Sequence, residues 1–339
     1  MQPRPVLSRI ALCVMQPGWG LVLPLLILCG LLAPPVWAAD KLSLCYVATH
    51  SALVPLAKLQ GFYAAEGLDV EVRSLPSGRQ TMDAMFAGQC PLSTASENPV
   101  AHYSLSRNDF LIIATISVSN NIESVIVRSD KGILTPADLR GRRVAAPQFT
   151  TAHYFLDVFL IANGLAPQDV IKVYLPAQDV VPAFRRGEVD AASHWKPNLQ
   201  PLAAEFGARA KTFEAPGLHI NPVTLIGTRD YVLRNPATVQ RVLRALLRAE
   251  RFVKEQPASA RALVAQSYAV PQSEVDLVWP LHDFRVSLDQ SLPFILETAA
   301  RWEIGLMPLA QRPAMPNYLD FIYFDGLLAV KPAAVTMIR

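Results

Sequence analysis

Two threonines and a histidine cluster where a helix should begin, at residues 148–153 within the stretch "APQFTTAHYFLDVFL". The first turn of a helix carries N–H groups that have no partner inside the helix, and its positive end attracts anions. The side chains of Thr150, Thr151 and His153 would add donors beside those N–H groups. The pattern therefore predicts an anion site with contacts from Gln148, Thr150, Thr151, Ala152 and His153.

Three further polar turns follow predicted strands of the chain. In open α/β sheets, ligands bind beyond the carboxyl ends of the strands, so four such turns together predict a cleft lined from two sides. Serine, threonine and asparagine also cap helices, and a simple N-cap is the alternative for each turn. The three turns comprise Thr49, His50 and Ser51; Ser96, Glu97 and Asn98; and His194 with Trp195.

Two residues of these turns need separate interpretation. Glu97 would repel an anion unless it pairs with an amine of the ligand or points away. Trp195 is predicted to lie in a loop and to offer a stacking surface, with a core position as the alternative. The histidines lack metal-ligand spacing, so no metal or cofactor is predicted. Structural roles are expected for His102, His219 and His282.

Hydrophobic periodicity predicts the elements that position these turns, in two copies of one βαβαβ unit. The first copy has strands at residues 42–48, 69–72 and 91–94, with a helix at 77–87 before the third strand. The second copy has strands at residues 143–146 and 170–175 and a third starting within 187–191, with helices at 151–163 and 180–186. This order predicts an α/β fold with mainly parallel, doubly wound sheets and right-handed crossovers.

The amino terminus predicts an exported protein. Arg4 and Arg9 precede an apolar run at residues 21–32, and small residues around Ala38 suit a signal peptidase, so residues 1–38 are predicted to be a signal peptide. An uncleaved membrane anchor is the alternative. The whole chain has a formal net charge of +3, and loss of the two arginines leaves it nearly neutral, which gives no electrostatic case for nucleic acid. A soluble periplasmic protein is expected.

Cys45 and Cys90 are the two cysteines that follow the predicted signal peptide. In an oxidising compartment they could form a disulfide, but both lie in strand-like runs that favour two buried thiols at least as much.

Five segments together resemble the periplasmic substrate-binding proteins of ABC importers, in the group that binds nitrate, taurine, alkanesulfonates and thiamine-pyrimidine precursors. The resemblance covers residues 41 to about 271 and depends on the order and spacing of the segments. They are "LAKLQGFYAAEGLDVEV", "MFAGQCPLSTASENP", "LRGRRVAAPQFTTAHYFL", "AFRRGEVDAASHWKPN" and "TRDYVLRNPATVQRVLRALLRAERFV".

The resemblance implies a two-lobed periplasmic-binding-protein fold of type II with a ligand cleft between the lobes. Lobe 1 would comprise residues 39–118 and 222–339, and lobe 2 residues 119–221. Residues 148–153 would hold a sulfonate or an equivalent anion, with the turns at Ser96–Glu97 and His194–Trp195 shaping the rest of the pocket. Phe149 adds bulk there and favours a larger or aromatic ligand. A monomer that delivers its ligand to an ABC permease is expected.

Two other functions are compatible with this sequence. Desulfinases and a pyrimidine-forming thiamine enzyme resemble these binding proteins, and Cys45 near His50 could serve as a thiolate nucleophile. Against catalysis, Cys45 falls inside a strand, and export would oxidise an unprotected reactive thiol. A binding protein that serves a membrane sensor instead of a permease is the third possibility.

Overall fold

The computed structural model describes residues 39–48 and 50–338, so the predicted signal peptide and Thr49 lie outside the described residues. The strands are β1 Asp40–Val47, β2 Leu68–Leu75, β3 Leu92–Ser96, β4 Phe110–Ser119, β5 Glu123–Arg128, β6 Arg143–Ala146, β7 Ile171–Tyr174, β8 Ala191–Trp195, β9 Ala210–Phe213, β10 Asn221–Thr228 and β11 His282–Asp283. The helices are α1 Leu53–Leu59, α2 Phe62–Ala65, α3 Gly78–Phe86, α4 Glu97–Ser104, α5 Thr151–Ala162, α6 Ala177–Arg185, α7 Lys196–Phe206, α8 Arg229–Arg234, α9 Pro236–Glu255, α10 Pro257–Tyr268, α11 Gln272–Val278, α12 Ser291–Leu306 and α13 Phe324–Val330.

These strands form two mixed sheets. The six-stranded sheet has the order β11-β4-β10-β3-β1-β2, and the five-stranded sheet has the order β7-β6-β8-β5-β9. In each sheet the three strands of the predicted βαβαβ unit are parallel: β1 pairs with β2 and β3, and β6 pairs with β7 and β8. The remaining strands pair antiparallel with their neighbours.

The chain crosses between the sheets twice. It leaves the six-stranded sheet after β4 and enters the five-stranded sheet at β5, and it returns between β9 and β10. The lobe boundaries at residues 118–119 and 221–222 stay a prediction.

The second βαβαβ unit shows how the sequence produces its elements. Val144 and Ala146 on one face of β6 pack against Phe155 and Phe159 of α5. Ala145 points to the other face and packs against α6 and α7. Burial on both faces explains why this strand is a continuous apolar run, as is usual in parallel sheets. Helix α5 begins at the predicted residue and ends just before Gly164, whose φ of 75° places it in the left-handed region.

The third strand of each unit extends further than predicted. Ser96 is the last residue of β3, and His194 and Trp195 are the last residues of β8. The predicted loop position of Trp195 is therefore wrong: hydrogen-bonded pairing with Glu123 of β5 continues the strand through this residue. Ser96, His194 and Trp195 are therefore strand residues rather than turn residues.

Within the described residues, none of the helices combines the length and the apolar character needed to span a bilayer.

Candidate functional site

Glu97, in the turn after β3, and Glu123, the first residue of β5, form a buried pair of carboxylates held by one histidine. Glu97 Oε1 lies 2.7 Å from His219 Nε2, and Glu123 Oε2 lies 3.3 Å from His219 Nδ1. Asn221 Nδ2 also donates to Glu123 Oε1. We call Glu97, Glu123 and His219 the buried triad; all three are at most 5% exposed.

The protonation of the buried triad follows from its geometry. Burial alone would lower the pKa of His219, but the two carboxylates raise it to about 10. Burial raises the pKa of Glu97, whereas His219 and Asn221 outweigh burial and lower the pKa of Glu123. A protonated imidazole can donate to both carboxylates at once. Glu97 is therefore paired with His219 within the protein. The sequence analysis did not predict this pairing.

Asn98 follows Glu97 and is 1% exposed. Neither its Oδ1 nor its Nδ2 has a hydrogen-bond partner among the described residues. Ser96 precedes α4 but makes no side-chain cap. The predicted role of Ser96 and Asn98 in ligand binding stays a prediction.

The turn after β1 is also buried. Ser51 Oγ lies 2.9 Å from Thr94 Oγ1, and the His50 carbonyl accepts a bond from Ser117 Oγ. The His50 ring packs edge-on against Trp195, with 5.7 Å between ring centroids. Burial, aided by His282, lowers the pKa of His50 to about 3, so this imidazole is neutral.

The turn after β8 is joined to the start of α5. Trp195 Nε1 donates to Thr151 Oγ1 at 2.8 Å, and Ser193 Oγ donates to the Ala152 carbonyl. His194 Nδ1 accepts from the Trp195 N–H, so His194 Nε2 carries the proton and donates to the Ala177 carbonyl. Burial lowers the pKa of His194 to about 4, in keeping with this neutral form.

The start of α5 keeps some of its predicted donors free and uses others. Thr150 Oγ1 donates to the Pro147 carbonyl at 2.6 Å, and Thr151 Oγ1 is held by the tryptophan. Within the described part of the chain, the backbone N–H groups of Thr151 and Ala152 have no acceptor. The hydroxyl oxygens of Thr150 and Thr151 thus take part in internal bonds, and the predicted role of this helix end in anion binding stays a prediction.

His153 is buried behind these groups. Its Nδ1 accepts from the Phe149 N–H, so Nε2 carries the proton and lies 3.0 Å from the Tyr174 hydroxyl oxygen. Burial lowers the pKa of His153 to about 3. Tyr174 accepts this bond and keeps its own hydroxyl proton free to donate.

A cavity of about 350 Å³ opens beside this helix end, between the two sheets. Residues after β2 form one wall, and residues after β6 and β7 form the other. We call it the α5 cavity. Its polar lining comprises Ser77, Arg79, Gln80, Asp83, Gln148, Thr150 and Tyr174.

Arg79 is the cationic residue of the α5 cavity, and sequence reasoning missed it. Its Nη1 donates to the Gln148 carbonyl at 3.4 Å, and no carboxylate of the described residues lies within salt-bridge distance of it. The neighbouring Asp83 accepts a hydrogen bond from the Tyr103 hydroxyl. The sequence could have indicated this residue, because ligands bind beyond the carboxyl ends of the strands in open α/β sheets. Applying this rule to the second strand of each βαβαβ unit as well would have selected residues 77–80 and 174–178.

Phe149 connects the two walls. Its φ of 55° is unusual for a residue other than glycine, and its ring stacks on His102 of α4 with 4.4 Å between centroids. The Arg79 guanidinium lies 5.3 Å from the same ring. Gln80 Nε2 also reaches Gln178 Oε1 across the gap at 3.3 Å. The described structure is therefore a form in which the two walls touch.

Cys45 and Cys90 form a disulfide, with 5.8 Å between their Cα atoms. This settles the choice between a bridge and two buried thiols. The thiolate nucleophile that the catalytic alternative requires of Cys45 is thereby removed.

A family comparison identifies the chain. Residues 48–260, more than half of its length, match the family model described as NMT1/THI5 like. The chain belongs to the NMT1/THI5-like family. This match confirms the resemblance inferred from the five sequence segments.

Two curated proteins of Escherichia coli (strain K12) are similar to this NMT1/THI5-like chain. It is 26% identical over 196 residues to the putative aliphatic sulfonates-binding protein and 29% identical over 148 residues to the taurine-binding periplasmic protein. These alignments cover 58% and 43% of this chain and 61% and 46% of the two relatives. The chain therefore matches less than two thirds of the length of either relative.

A solved structure shows the fold that this NMT1/THI5-like chain shares. The alkanesulfonate-binding protein SsuA from Xanthomonas axonopodis pv. citri, bound to MOPS, superimposes with a TM-score of 0.73 at 22% identity, covering 84% of this chain and 98% of SsuA. The predicted periplasmic-binding-protein fold is confirmed, with mixed sheets.

Proposed function

We propose that this protein is an extracytoplasmic solute-binding protein that captures a small organic anion and delivers it to an ABC import permease. The observation that carries the proposal is the α5 cavity, where donors from both sheets converge on one space. The names of the relatives support it, because the two curated proteins are described as binders of aliphatic sulfonates and taurine.

The donors of the α5 cavity suit a sulfonate or carboxylate. Arg79 supplies the charge and Tyr174 a free hydroxyl proton, and both residues line the cavity. Thr151 and Ala152 follow the lining residue Thr150, and their N–H groups would add donors at the start of α5. Charge-assisted hydrogen bonds contribute about 1.5–3 kcal/mol each, and several converging donors exceed what a single helix end offers. Gln148 completes this set of contacts.

Binding alone suffices for this function. The two lobes, residues 39–118 with 222–339 and residues 119–221, would hinge at the crossings between β4 and β5 and between β9 and β10. A ligand that contacts both walls favours the closed form over the open one, and a differential affinity of about 5.5 kcal/mol converts a nearly open population into a nearly closed one. The closed monomer is the form that a periplasmic permease partner would recognise.

The test is a calorimetric titration of the mature protein with alkanesulfonates, carboxylates, nitrate and pyrimidines. Micromolar binding of at least one anion, with the ligand recovered unchanged, is the expected result. Absence of binding for every anion, or chemical turnover of the bound one, would overturn the proposal. Mass spectrometry of any co-purified ligand provides an independent check.

A further inference from the structure

The segment from α11 to α12 contacts both sheets of the protein. It comprises residues 272–306 and follows the part of the chain that matches the family model, which ends at residue 260. We call it the C-terminal strap. Its elements include α11, β11 and α12.

Most of the C-terminal strap is fixed to the six-stranded sheet. β11 pairs with the end of β4, and the backbone groups of Ser287 exchange two hydrogen bonds with Thr115 of the same strand. Leu292 of α12 is buried in the core that covers this sheet. Glu303 Oε1 lies 2.6 Å from His102 Nδ1, which joins the end of α12 to α4. The strap should therefore move together with the six-stranded sheet.

Two side chains of the C-terminal strap contact the unit of the five-stranded sheet instead. Val278, the last residue of α11, belongs to an apolar cluster with Ala152 of α5 and Trp195 of β8. Trp302 Nε1 in α12 donates a hydrogen bond to Asp157 Oδ2 of α5 at 3.0 Å. Because α5 packs on the five-stranded sheet, the strap connects the two sheets at two points along one helix.

The contact of Trp302 with α5 combines several interactions. Its ring packs edge-on against the rings of His153 and Tyr154, with 4.8 and 5.3 Å between centroids. The acceptor Asp157 is 1% exposed and forms an ion pair with Lys172 of β7. The five-stranded sheet therefore positions this carboxylate independently of the strap.

These contacts are sensitive to a hinge motion between the sheets. The strap is fixed to one sheet, and Trp302 is hydrogen-bonded to a helix of the other, so separation of the sheets would break this bond. Hydrogen bonds to a charged acceptor are stronger than those between neutral groups. A contact that exists only in the closed arrangement shifts the population toward that arrangement.

We propose that the C-terminal strap is a closure device, in which the contact of Trp302 with α5 stabilises the form whose walls touch. The protein itself thus contributes to closure, in addition to any contribution from a bound molecule. This inference uses the two lobes of the proposed function but requires no anion, so either proposal can fail without the other.

The experiment measures the distance between two spin labels in the dialysed mature protein by pulsed electron paramagnetic resonance. The labels are attached at Ala87→Cys, after α3, and at Arg186→Cys, after α6, because these two helices start on opposite walls of the α5 cavity. Cys45 and Cys90 are bonded to each other, so the labels react at the introduced thiols. The labelled protein that retains Trp302 should show mainly the shorter, closed distance.

Variants of Trp302 test the closure device. Trp302→Phe keeps an aromatic ring but loses the N–H donor, and Trp302→Ala loses both. The ratio of closed to open molecules should fall by about tenfold in the first variant and further in the second. Trp302→Phe alone decides the question if Trp302→Ala does not fold.

Tyr318→Phe is the matched control. It removes the 2.8 Å hydrogen bond between the Tyr318 hydroxyl and Ser104 Oγ, which lies entirely on the side of the six-stranded sheet. The distance distribution should stay unchanged in this variant, although it also loses one buried hydrogen bond.

The outcomes separate this inference from the proposed function. A mainly open distribution in the protein that retains Trp302, or the same distribution in the folded Trp302 variants, would overturn the closure device. An equal shift in Tyr318→Phe would also overturn it, because the effect would then follow from a general loss of stability. None of these distances depends on anion affinity, which the calorimetric titration measures separately.

Discussion

Glu97 and Arg79 both follow strands of the six-stranded sheet, and both contact residues on the far side of the gap, yet their charges are used differently. Glu97 is 1% exposed and paired with His219, whereas Arg79 is partly exposed and lines a cavity without a carboxylate partner among the described residues. The charge of Glu97 thus serves an internal ion pair, whereas the charge of Arg79 faces a cavity. Stability and binding should therefore respond to different substitutions.

The largest expected effect is the loss of stability caused by His219→Gln in the buried triad. This change leaves Glu97 and Glu123 facing each other without a cation, and removing one member of a buried ion pair costs about 3–5 kcal/mol. The measurement is the difference in the free energy of unfolding between wild type and His219→Gln, obtained from urea denaturation.

A double variant provides the control for the triad. Glu97→Gln combined with His219→Gln removes one negative charge together with the cation, so it should lose less stability than the sum of the two single variants. If His219→Gln alone costs no more than about 1 kcal/mol, as is usual for an exposed ion pair, the triad does not have the structural role assigned to it.

The second effect is a loss of stability in acid that depends on His194. Its pKa is about 4 in the folded protein and about 6.5 when unfolded, so the unfolded state binds more protons between these pH values. Stability is therefore fully present above pH of about 6.5 and decreases as the pH falls toward 4, by about 3 kcal/mol from this residue.

The measurement compares wild type with His194→Gln between pH 7.5 and 4. Other buried histidines, His50, His153 and His282, also have lowered pKa values and contribute to the acid loss in both proteins. The difference in slope isolates His194: the variant should lose less stability on acidification. Parallel curves for the two proteins would show that His194 is not held neutral by burial.

Sequence reasoning located the elements better than it located their contacts. Periodicity placed β6 and the start of α5 correctly, because a buried parallel strand and a polar helix start have strong local signals. It placed Trp195 in a loop, since nothing local shows that β8 keeps pairing with β5.

The candidate site was only partly predictable for the same reason. The sequence identifies Glu97 as a possible problem for an anion, but it cannot show that His219, more than a hundred residues away, pairs with it. Gln148 and Thr150 do line a cavity, whereas Arg79 was missed because second-strand turns were not considered. Long-range pairing, rather than residue type, decides which polar groups remain available.

The smallest expected effect is the loss of anion affinity caused by Arg79→Gln in the α5 cavity. Loss of one charge-assisted hydrogen bond of about 1.5–3 kcal/mol weakens anion affinity by roughly 10- to 100-fold. The free energy of unfolding should stay nearly constant, because none of the described carboxylates lies within salt-bridge distance of Arg79. Thr151→Ala is the matched comparison: it removes the bond to Trp195 Nε1 and should cost about 1 kcal/mol of stability with little effect on affinity. Calorimetry and urea denaturation of both variants test the separation. Thr151→Ala could instead weaken binding as much as Arg79→Gln does. That result would show that the threonine hydroxyl contacts the anion directly, and that the start of α5 contributes more to recognition than Arg79 does.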